Sequence, residues 1–505
     1  MITQNIIGFQ LSALSNRELH ETSAATTSNL KKSFSPATVT EVNMALEKAH
    51  HAWRTFRNLP GLKRADFLRE IANGIELSGD QLVSCIMEET AYPEARILGE
   101  RNRTCAQLRM FADIAEQELW RELTIDVALP DRTPAPRPEL RKMMMALGPV
   151  VVFGASNFPL AYSTAGGDVA SAFAVGCPVI VKAHDAHPCT NALVAEVIME
   201  AARRTNMPDG VFSSLNGDGF ETGKQLVLHP LTAAVGFTGS QAGGRALFDL
   251  GQSRPKPIPV FAEMGSVNPV FLLPGKIKEN VVYVASQLIA SITLSVGQFC
   301  TKPGIFIALD DEHSAMLINE FKKGLAAVQK GTMLSNDILN RFQKGVTSIK
   351  AQSGVQFVSD DSSEVDSKVS PVLASVAADI FLKESGLQHE IFGPFALLVL
   401  CNSITQMKLV AEKLEGQLTS SIFMNEQDHQ EARDVVEVLI EKAGRLIVNG
   451  VPTGVEVCAA MTHGGPYPAS SDSRFTAVGH SALRRWVRPV TFQNFPANLL
   501  PEILQ

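Results

Sequence analysis

The chain has no pair of cysteines in a C-x-x-C spacing: its seven, at 85, 105, 177, 189, 300, 401 and 458, are odd in number and scattered. That pattern excludes a disulfide framework and a zinc knuckle, and it predicts a reducing compartment. Excess positive charge is missing too. With 45 basic against 52 acidic residues, a net charge of −7 and 19% charged residues, the composition offers no surface for nucleic acid. No long apolar run is uninterrupted. The most apolar stretch, 143–161, is broken by Gly148, Pro149, Ser156, Asn157 and Pro159, so it reads as a buried strand and its following loop, not a membrane span. The opening MITQNIIGFQ lacks the basic and apolar regions of a signal peptide, and no repeat or low-complexity tract is present. A cytoplasmic protein without membrane or nucleic-acid partners is the expectation.

What is present is enough chain, 505 residues, for more than one core. Helical apolar spacing runs through 41–119, in segments such as EVNMALEKAHHAWRTF and TCAQLRMFADIAEQELW. From Gly148 the pattern changes to short apolar runs between helical stretches: GPVVVFG, CPVIVKA, GVFSSLN, TAAVGF and PIPVFAE. Runs so short and so nearly apolar suit buried parallel strands. The rhythm resumes with GIFIALD, FALLVL, TSSIFM and GRLIVN. The fold class predicted is α/β, with two doubly wound, Rossmann-like domains. Two pieces fit neither domain, the Pro-rich 128–146 and the C-terminal RRWVRPVTFQNFP; both have edge-strand character and can pair as an arm for subunit contact.

Several segments carry candidate chemistry. GVFSSLNGDGFETG places Gly217, Gly219 and Gly223 between a strand and a helix, close to a dinucleotide-binding loop but not a true G-x-G-x-x-G. In AAVGFTGSQAGG, Gly239 and Ser240 sit where a helix begins, a place whose free N–H groups favour phosphate. VIVKAHDAHPC ends a strand on Lys182, followed by His184, Asp185, His187 and Cys189. That spacing does not make a zinc site, so no metal is assigned; a ribose contact through Lys182 fits better, with the imidazoles as surface features. FAEMGSVNP puts Glu263 at the end of an apolar strand beside Gly265, where burial would raise its pKa and suit a general base. Asn157 in GASNFP is either an amide donor to an oxyanion or a turn residue. Cys300, in GQFCTKPG, follows a helical stretch, and such a cysteine is more often packing than nucleophile. An ordinary thiol near pKa 8.5 needs a cation, dipole or base to react, and Lys302 is the nearest cation in sequence.

Taken together, SNFP, the strand-end Lys182, FTGS at 237–240, EMGS, GQFC and HEIFGP with Glu390 and Phe392 resemble the aldehyde dehydrogenase superfamily in order and separation, from about residue 35 onward. The resemblance implies a three-part subunit: a nicotinamide-binding domain (1–127 and 147–262), a catalytic domain (263–460), and an oligomerisation arm (128–146 and 486–505) supporting a homodimer or homotetramer. It implies that Cys300 attacks the aldehyde, that Asn157 and the Cys300 amide hold the oxyanion, and that Glu263 activates the hydrolytic water. The cofactor, NAD or NADP, would be held by Lys182, His184, Asp185, Gly239, Ser240, Gly265, Glu390 and Phe392.

The ending THGGPYPASSDSRFTAVGHSALRRWVRPVTFQNFP resembles the branch of 2-oxoglutarate semialdehyde (2,5-dioxopentanoate) dehydrogenases and an NADP-dependent long-chain aldehyde dehydrogenase, in which His463 stands where many relatives place an aromatic. His463 is accordingly a candidate second catalytic or substrate residue. Many relatives carry Lys-Pro-x-Glu where this chain has KAHD; Asp185 would repel a 2′-phosphate while Lys182 and His184 could accept one, so NAD and NADP both stay open. For a dicarboxylate semialdehyde the helix holding ERNRTCAQLRMF offers Arg103, Gln107 and Arg109, at least one arginine of which is expected on a solvated face. The alternatives are oxidation of medium- or long-chain aldehydes, and a cofactor-free cysteine hydrolase built on Cys300 and Glu263.

Overall fold

The computed structural model describes residues 2–25, 29–217, 220–359 and 368–505; Gly219 of the expected glycine loop lies outside them. Five short strands run parallel in the spatial order Val260–Glu263, Ala234–Thr238, Val150–Phe153, Val179–Lys182 and Phe212–Leu215. Their β-branched and aromatic side chains are buried on both faces, which is why the runs are continuous instead of alternating. Val150–Phe153 comes first in the chain yet lies mid-sheet, so the strand order reverses beside it. The carboxyl ends there open the crevice in which such sheets bind ligands. Lys182 and Glu263 are each the last residue of their strand. An antiparallel hairpin, Asn5–Ile7 and Gln10–Ser12, extends the far edge through Ile6↔Ser214.

The helical lead-in consists of Val39–Phe56, Gly61–Leu77, Gly79–Thr90 and Glu94–Gln117. The first begins at a reciprocal cap, in which Thr38 accepts from the Glu41 amide and Glu41 accepts from the Thr38 amide.

A second sheet orders Gln356–Ser359, Val372–Ala377, Phe395–Cys401, Ile305–Leu309, Val270–Leu272, Gln417–Phe423 and Ala443–Val448, all parallel except the first. Helix Pro274–Thr293 packs Val284, Leu288 and Ile292 into its core. The stretch Pro274–Gly297 is the one helical segment among the described residues long and apolar enough to cross a membrane; one face of it packs against Phe306 and Phe321.

The two pieces that fitted neither domain pair with one another, Val487–Gln493 running antiparallel to Leu140–Ala146 over seven residue pairs from Val487↔Ala146 to Gln493↔Leu140. Thr124–Asp126, upstream of the expected boundary at 128, joins the same sheet. Residues 461–485 return to the first sheet, where the Ser471 hydroxyl accepts from the Ala262 amide and Ser470 bridges Glu263. Trp486 fixes this return, its ring edge-on to Phe261 and its indole donating to Ser171 at 2.8 Å.

Candidate active site

The chain reaches Cys300 through a sharp turn. After helix Pro274–Thr293, Ser295, Val296 and Gly297 all take positive φ (48°, 58° and 64°), a conformation unfavourable for a β-branched valine. At 297 only glycine fits, because a Cβ there would meet the Gly393 carbonyl oxygen at 2.4 Å. The turn is held from both sheets. Asn157 Nδ2, from the loop after Val150–Phe153, donates to the Gln298 carbonyl at 2.9 Å. Asn268 Nδ2 donates to the carbonyls of Cys300 (2.8 Å) and Lys302 (3.0 Å), and the Asn268 amide is held by Gln417 Oε1 at 3.1 Å. Asn157 uses one amide hydrogen in this way, and its second is available to an oxyanion.

Around the thiol the groups are buried and mostly short of partners. Cys300 Sγ lies 3.6 Å from His463 Nε2. Glu263 is 7% exposed and its Oε2 has no hydrogen-bond partner; Oε1 lies 3.5 Å from where a Cβ on Gly464, the residue after His463, would stand. Burial raises the Glu263 pKa well above the ordinary carboxylate value; Asp168 adds to the rise and Arg485 opposes it. Once ionised, such a carboxylate is a stronger base toward water than an ordinary one. Burial, then the Glu263 and Glu390 carboxylates, push the Cys300 thiol up to about 12, with Arg103 pulling the other way. His463 is driven down to about 3, first by burial and then by Arg445 and Arg103. Its ring is therefore neutral: a hydrogen-bond partner for the thiol, not a cation that would ionise it.

Lys302 is the sequence neighbour whose role changes. It neither faces solvent nor serves the thiol. The side chain is 1% exposed and turns away, Nζ donating to the carbonyls of Ile391 (3.2 Å) and Phe395 (2.9 Å). Burial lowers its pKa to about 8 and raises that of Glu390 to about 7, each charge supporting the other.

Two guanidinium groups flank the thiol. Arg103 Nη2 donates to the Tyr162 hydroxyl at 3.2 Å, while its Nε has no partner. Arg445, which sequence reasoning missed, donates to the carbonyls of Pro452 (2.6 Å) and Gly454 (3.1 Å) and feels the charge of Cys300. Nothing in GRLIVN marks it out, since a strand-start arginine is ordinary. Phe158 and Phe299 pack edge to face, and Arg96 lies over both while donating to the Asn157 carbonyl at 2.7 Å. Gln107 is buried against Gly167. Arg109 is on the solvated face, paired with Glu76 at 2.7 Å.

The cofactor candidates line the crevice of the first sheet and the loop facing it. Lys182 Nζ donates to Asp185 Oδ1 at 2.7 Å, beside a cavity of ≈ 260 Å³ lined by residues that include Ala183, His184, Asp185, Asn216 and Gly217. The histidines are not surface groups as expected. His187 is fully buried, its Nε2 2.9 Å from the Ala155 carbonyl and its ring stacked on His184, because Pro188 starts a helix and turns His187 inward. Ser240 caps helix Gln241–Ser253 by accepting from Gly243 N, and the Gly239 amide donates to the Glu263 carbonyl, which fixes the helix start against the strand end. Glu390 Oε1 is buried without a partner, and a Cβ on Gly265 would stand 2.1 Å from Glu390 Oε2. An orphaned carboxylate oxygen over a bare glycine, a strand-end lysine by an open cavity, and a capped helix start fit the ribose, adenosine and pyrophosphate portions of a dinucleotide. Phe392 is half-buried on the same loop as Glu390.

A family model of the aldehyde dehydrogenases matches residues 13–486. Alpha-ketoglutaric semialdehyde dehydrogenase 2 of Azospirillum brasilense is 46% identical over 473 residues, spanning 94% of this chain and 90% of the relative. The alpha-ketoglutaric semialdehyde dehydrogenase of Acinetobacter baylyi is 42% identical over 478 residues, with coverage of 94% and 90%. Among solved structures, a 1-pyrroline-5-carboxylate dehydrogenase from Thermus with bound NAD superposes with a TM-score of 0.83 at 19% identity, covering 97% of this chain and 92% of the other.

Proposed function

This chain belongs to the aldehyde dehydrogenase family, and from that premise we propose that it oxidises 2-oxoglutarate semialdehyde (2,5-dioxopentanoate) to 2-oxoglutarate. It is an NAD(P)-dependent aldehyde oxidoreductase, which sets aside the cofactor-free hydrolase. The observation that carries the substrate is the pair of half-buried guanidinium groups, Arg103 and Arg445, within electrostatic reach of Cys300. A carboxylate at the far end of the substrate can pair with them as a plain alkyl chain cannot. The relatives at 46% and 42% identity carry the same substrate in their names.

In this reading Cys300 adds to the aldehyde carbon and forms a thiohemiacetal, its proton leaving for solvent. The developing oxyanion is held by the free Asn157 N–H and the Cys300 amide. A nicotinamide bound in the crevice would supply the hydride acceptor for that adduct. Glu390 and Lys182 would hold the two riboses, with His184 and Asp185 beside Lys182, Phe392 beside Glu390, and Gly239, Ser240 and Gly265 leaving room for the pyrophosphate. Glu263 then takes a proton from water, hydroxide adds to the thioester, and the acid departs with the thiol restored. Arg103 orients the substrate carboxylate, and Gln107 supports the helix that carries it.

The subunits associate through the arm, whose Ile125, Val127 and Leu129 are exposed at 52%, 59% and 40% in the single chain. A cytoplasmic location accords with seven free cysteines. The test is an assay of 2,5-dioxopentanoate, succinate semialdehyde and alkanals with NAD and NADP, following absorbance of the reduced cofactor. The dioxo acid is expected to give the highest kcat/KM and Cys300→Ser no turnover. Preference for long alkanals, or near-normal rates in Cys300→Ser, would overturn the reading.

A further inference from the structure

Away from the catalytic centre, four ligating side chains converge where three segments distant in sequence meet. They are Glu21 on the N-terminal hairpin (Leu19–Thr22 paired with Asn29–Phe34), Cys85 and Glu89 at the end of helix Gly79–Thr90, and Cys189 in the first turn of helix Pro188–Arg204. One oxygen or sulfur atom from each lies within 4.8 Å of the other three. Cys85 Sγ is 3.7 Å from Glu89 Oε2. All four are buried, at 1%, 8%, 1% and 0% exposure in chain order.

Glu89 is oriented by the helix it faces, accepting from Cys189 N (2.7 Å), Thr190 N (3.0 Å) and Thr190 Oγ1 (2.5 Å). Glu21 has no such explanation: its Oε1 is buried without a hydrogen-bond partner, in a cluster already holding a second carboxyl group and two thiols. A carboxylate placed there is costly unless something positive meets it. Among the described residues the cation at the cluster is Lys32, whose Nζ lies 3.3 Å from Cys189 Sγ and also feels Glu21 and Cys85. It leaves Glu21 Oε1 without a hydrogen bond.

Two sulfurs and two carboxylate oxygens make a donor set for a borderline-soft, tetrahedral ion; calcium and magnesium require oxygen alone. Zinc bonds of about 2.0–2.3 Å place tetrahedral ligand atoms roughly 3.3–3.8 Å apart, so the cluster needs only a small contraction. We propose that Glu21, Cys85, Glu89 and Cys189 form a structural site for a zinc-class divalent cation, which pins the N-terminal hairpin to the helices behind the cofactor crevice. Leu19, His20 and Phe34 of that hairpin line the same cavity as His184 and Asp185, so the ion would also set the wall of the cofactor site. On binding, each thiol releases its proton to solvent and two metal–sulfur bonds form, with no change of oxidation state. The inference does not depend on which aldehyde is oxidised.

The experiment uses the full chain with Cys300→Ala, so that the catalytic thiol cannot bind metal, stripped with chelator under reductant and titrated with Co²⁺. One equivalent per chain is expected, with near-ultraviolet thiolate-to-cobalt absorption that Zn²⁺ abolishes by displacement. Cys85→Ser and Cys189→Ser should each remove about half of that absorption, and Glu21→Gln should weaken binding about tenfold or more while leaving the thiolate signal. Absence of cobalt binding, binding unchanged in the Cys85→Ser and Cys189→Ser variants, or a Cys85–Cys189 disulfide in freshly isolated protein would overturn the site. Should the cysteine variants fail to fold, Glu21→Gln, which leaves the Glu89 cap and both thiols intact, decides by thermal melting. Zn²⁺ should raise the melting temperature of the parent and not that of Glu21→Gln; an equal response in both would refute the proposal.

Discussion

Raising the pH of the cofactor-free enzyme should activate Cys300 without limit across the working range. The thiol is pushed up to about 12 against a usual 9.0, mainly by burial and then by Glu263 and Glu390. At about 1.4 kcal/mol per unit, those three units are about 4 kcal/mol held against the thiolate. Far below its pKa a thiol gains tenfold in thiolate per pH unit, so alkylation by iodoacetamide should accelerate about 100-fold between pH 7 and 9. The measurement is the rate of carbamidomethylation of the Cys300 peptide by mass spectrometry. Arg103→Met, which removes a cation pulling the pKa down, should slow the reaction at every pH. Glu263→Gln should speed it, because it removes a carboxylate that raises the thiol pKa. A plateau between pH 6 and 8 would mean a resting thiolate already exists, and would refute a thiol pKa raised by burial and the two carboxylates.

Three further outcomes follow from the same geometry. Glu263→Gln should give a burst of about one reduced cofactor per site and then a steady state slowed about 100-fold or more, since the thioester forms but lacks its base; an unaltered steady state would remove that role. Arg445→Met should raise KM for 2,5-dioxopentanoate about tenfold or more and leave KM for alkanals within about twofold, and a uniform rise would point to structural damage instead. Asp185→Asn releases Lys182 from its 2.7 Å pairing, so KM for NADP should fall about fivefold or more relative to NAD; an unchanged ratio would place the 2′ position elsewhere.

Much of the fold was legible because buried parallel strands leave a plain mark. The apolar runs quoted from 150 onward each contain a strand, since the inner strands of both sheets are covered on both faces and alternation is lost there. The segments that escaped are those without that mark. Val270–Leu272 is three residues just past the stretch read for its glutamate, and the hairpin of Asn5–Ile7 with Gln10–Ser12 holds an edge whose second strand is largely exposed. Their pairing partners, Ile305–Leu309 and Phe212–Leu215, lie 33 or more residues away, beyond any local pattern. The resemblance to the aldehyde dehydrogenases, by contrast, rested on ordered motifs and is matched by the family model across residues 13–486.

Within the site, legibility failed wherever a charge acts at a distance from its place in the sequence. Lys302 is two residues from Cys300 and was the natural cation for its thiol, yet the chain turns there, the Lys302 amide donating to the Phe299 carbonyl at 3.1 Å, and its ammonium instead ties the Ile391 and Phe395 carbonyls. The groups that do govern the thiol come from residues 103, 263, 390, 445 and 463. Only the tertiary fold brings them together; Glu263, Glu390 and His463 sit in motifs that announce a role, Arg103 is named only for a substrate carboxylate, and Arg445 is marked by nothing in its segment. It follows that Lys302 belongs to the cofactor side of the mechanism: its positive charge favours the ionised form of Glu390, the form able to accept from a ribose hydroxyl. The lysine in GQFCTKPG therefore completes the loop that faces the cysteine, and the cysteine's reactivity is left to side chains that the surrounding motif does not contain.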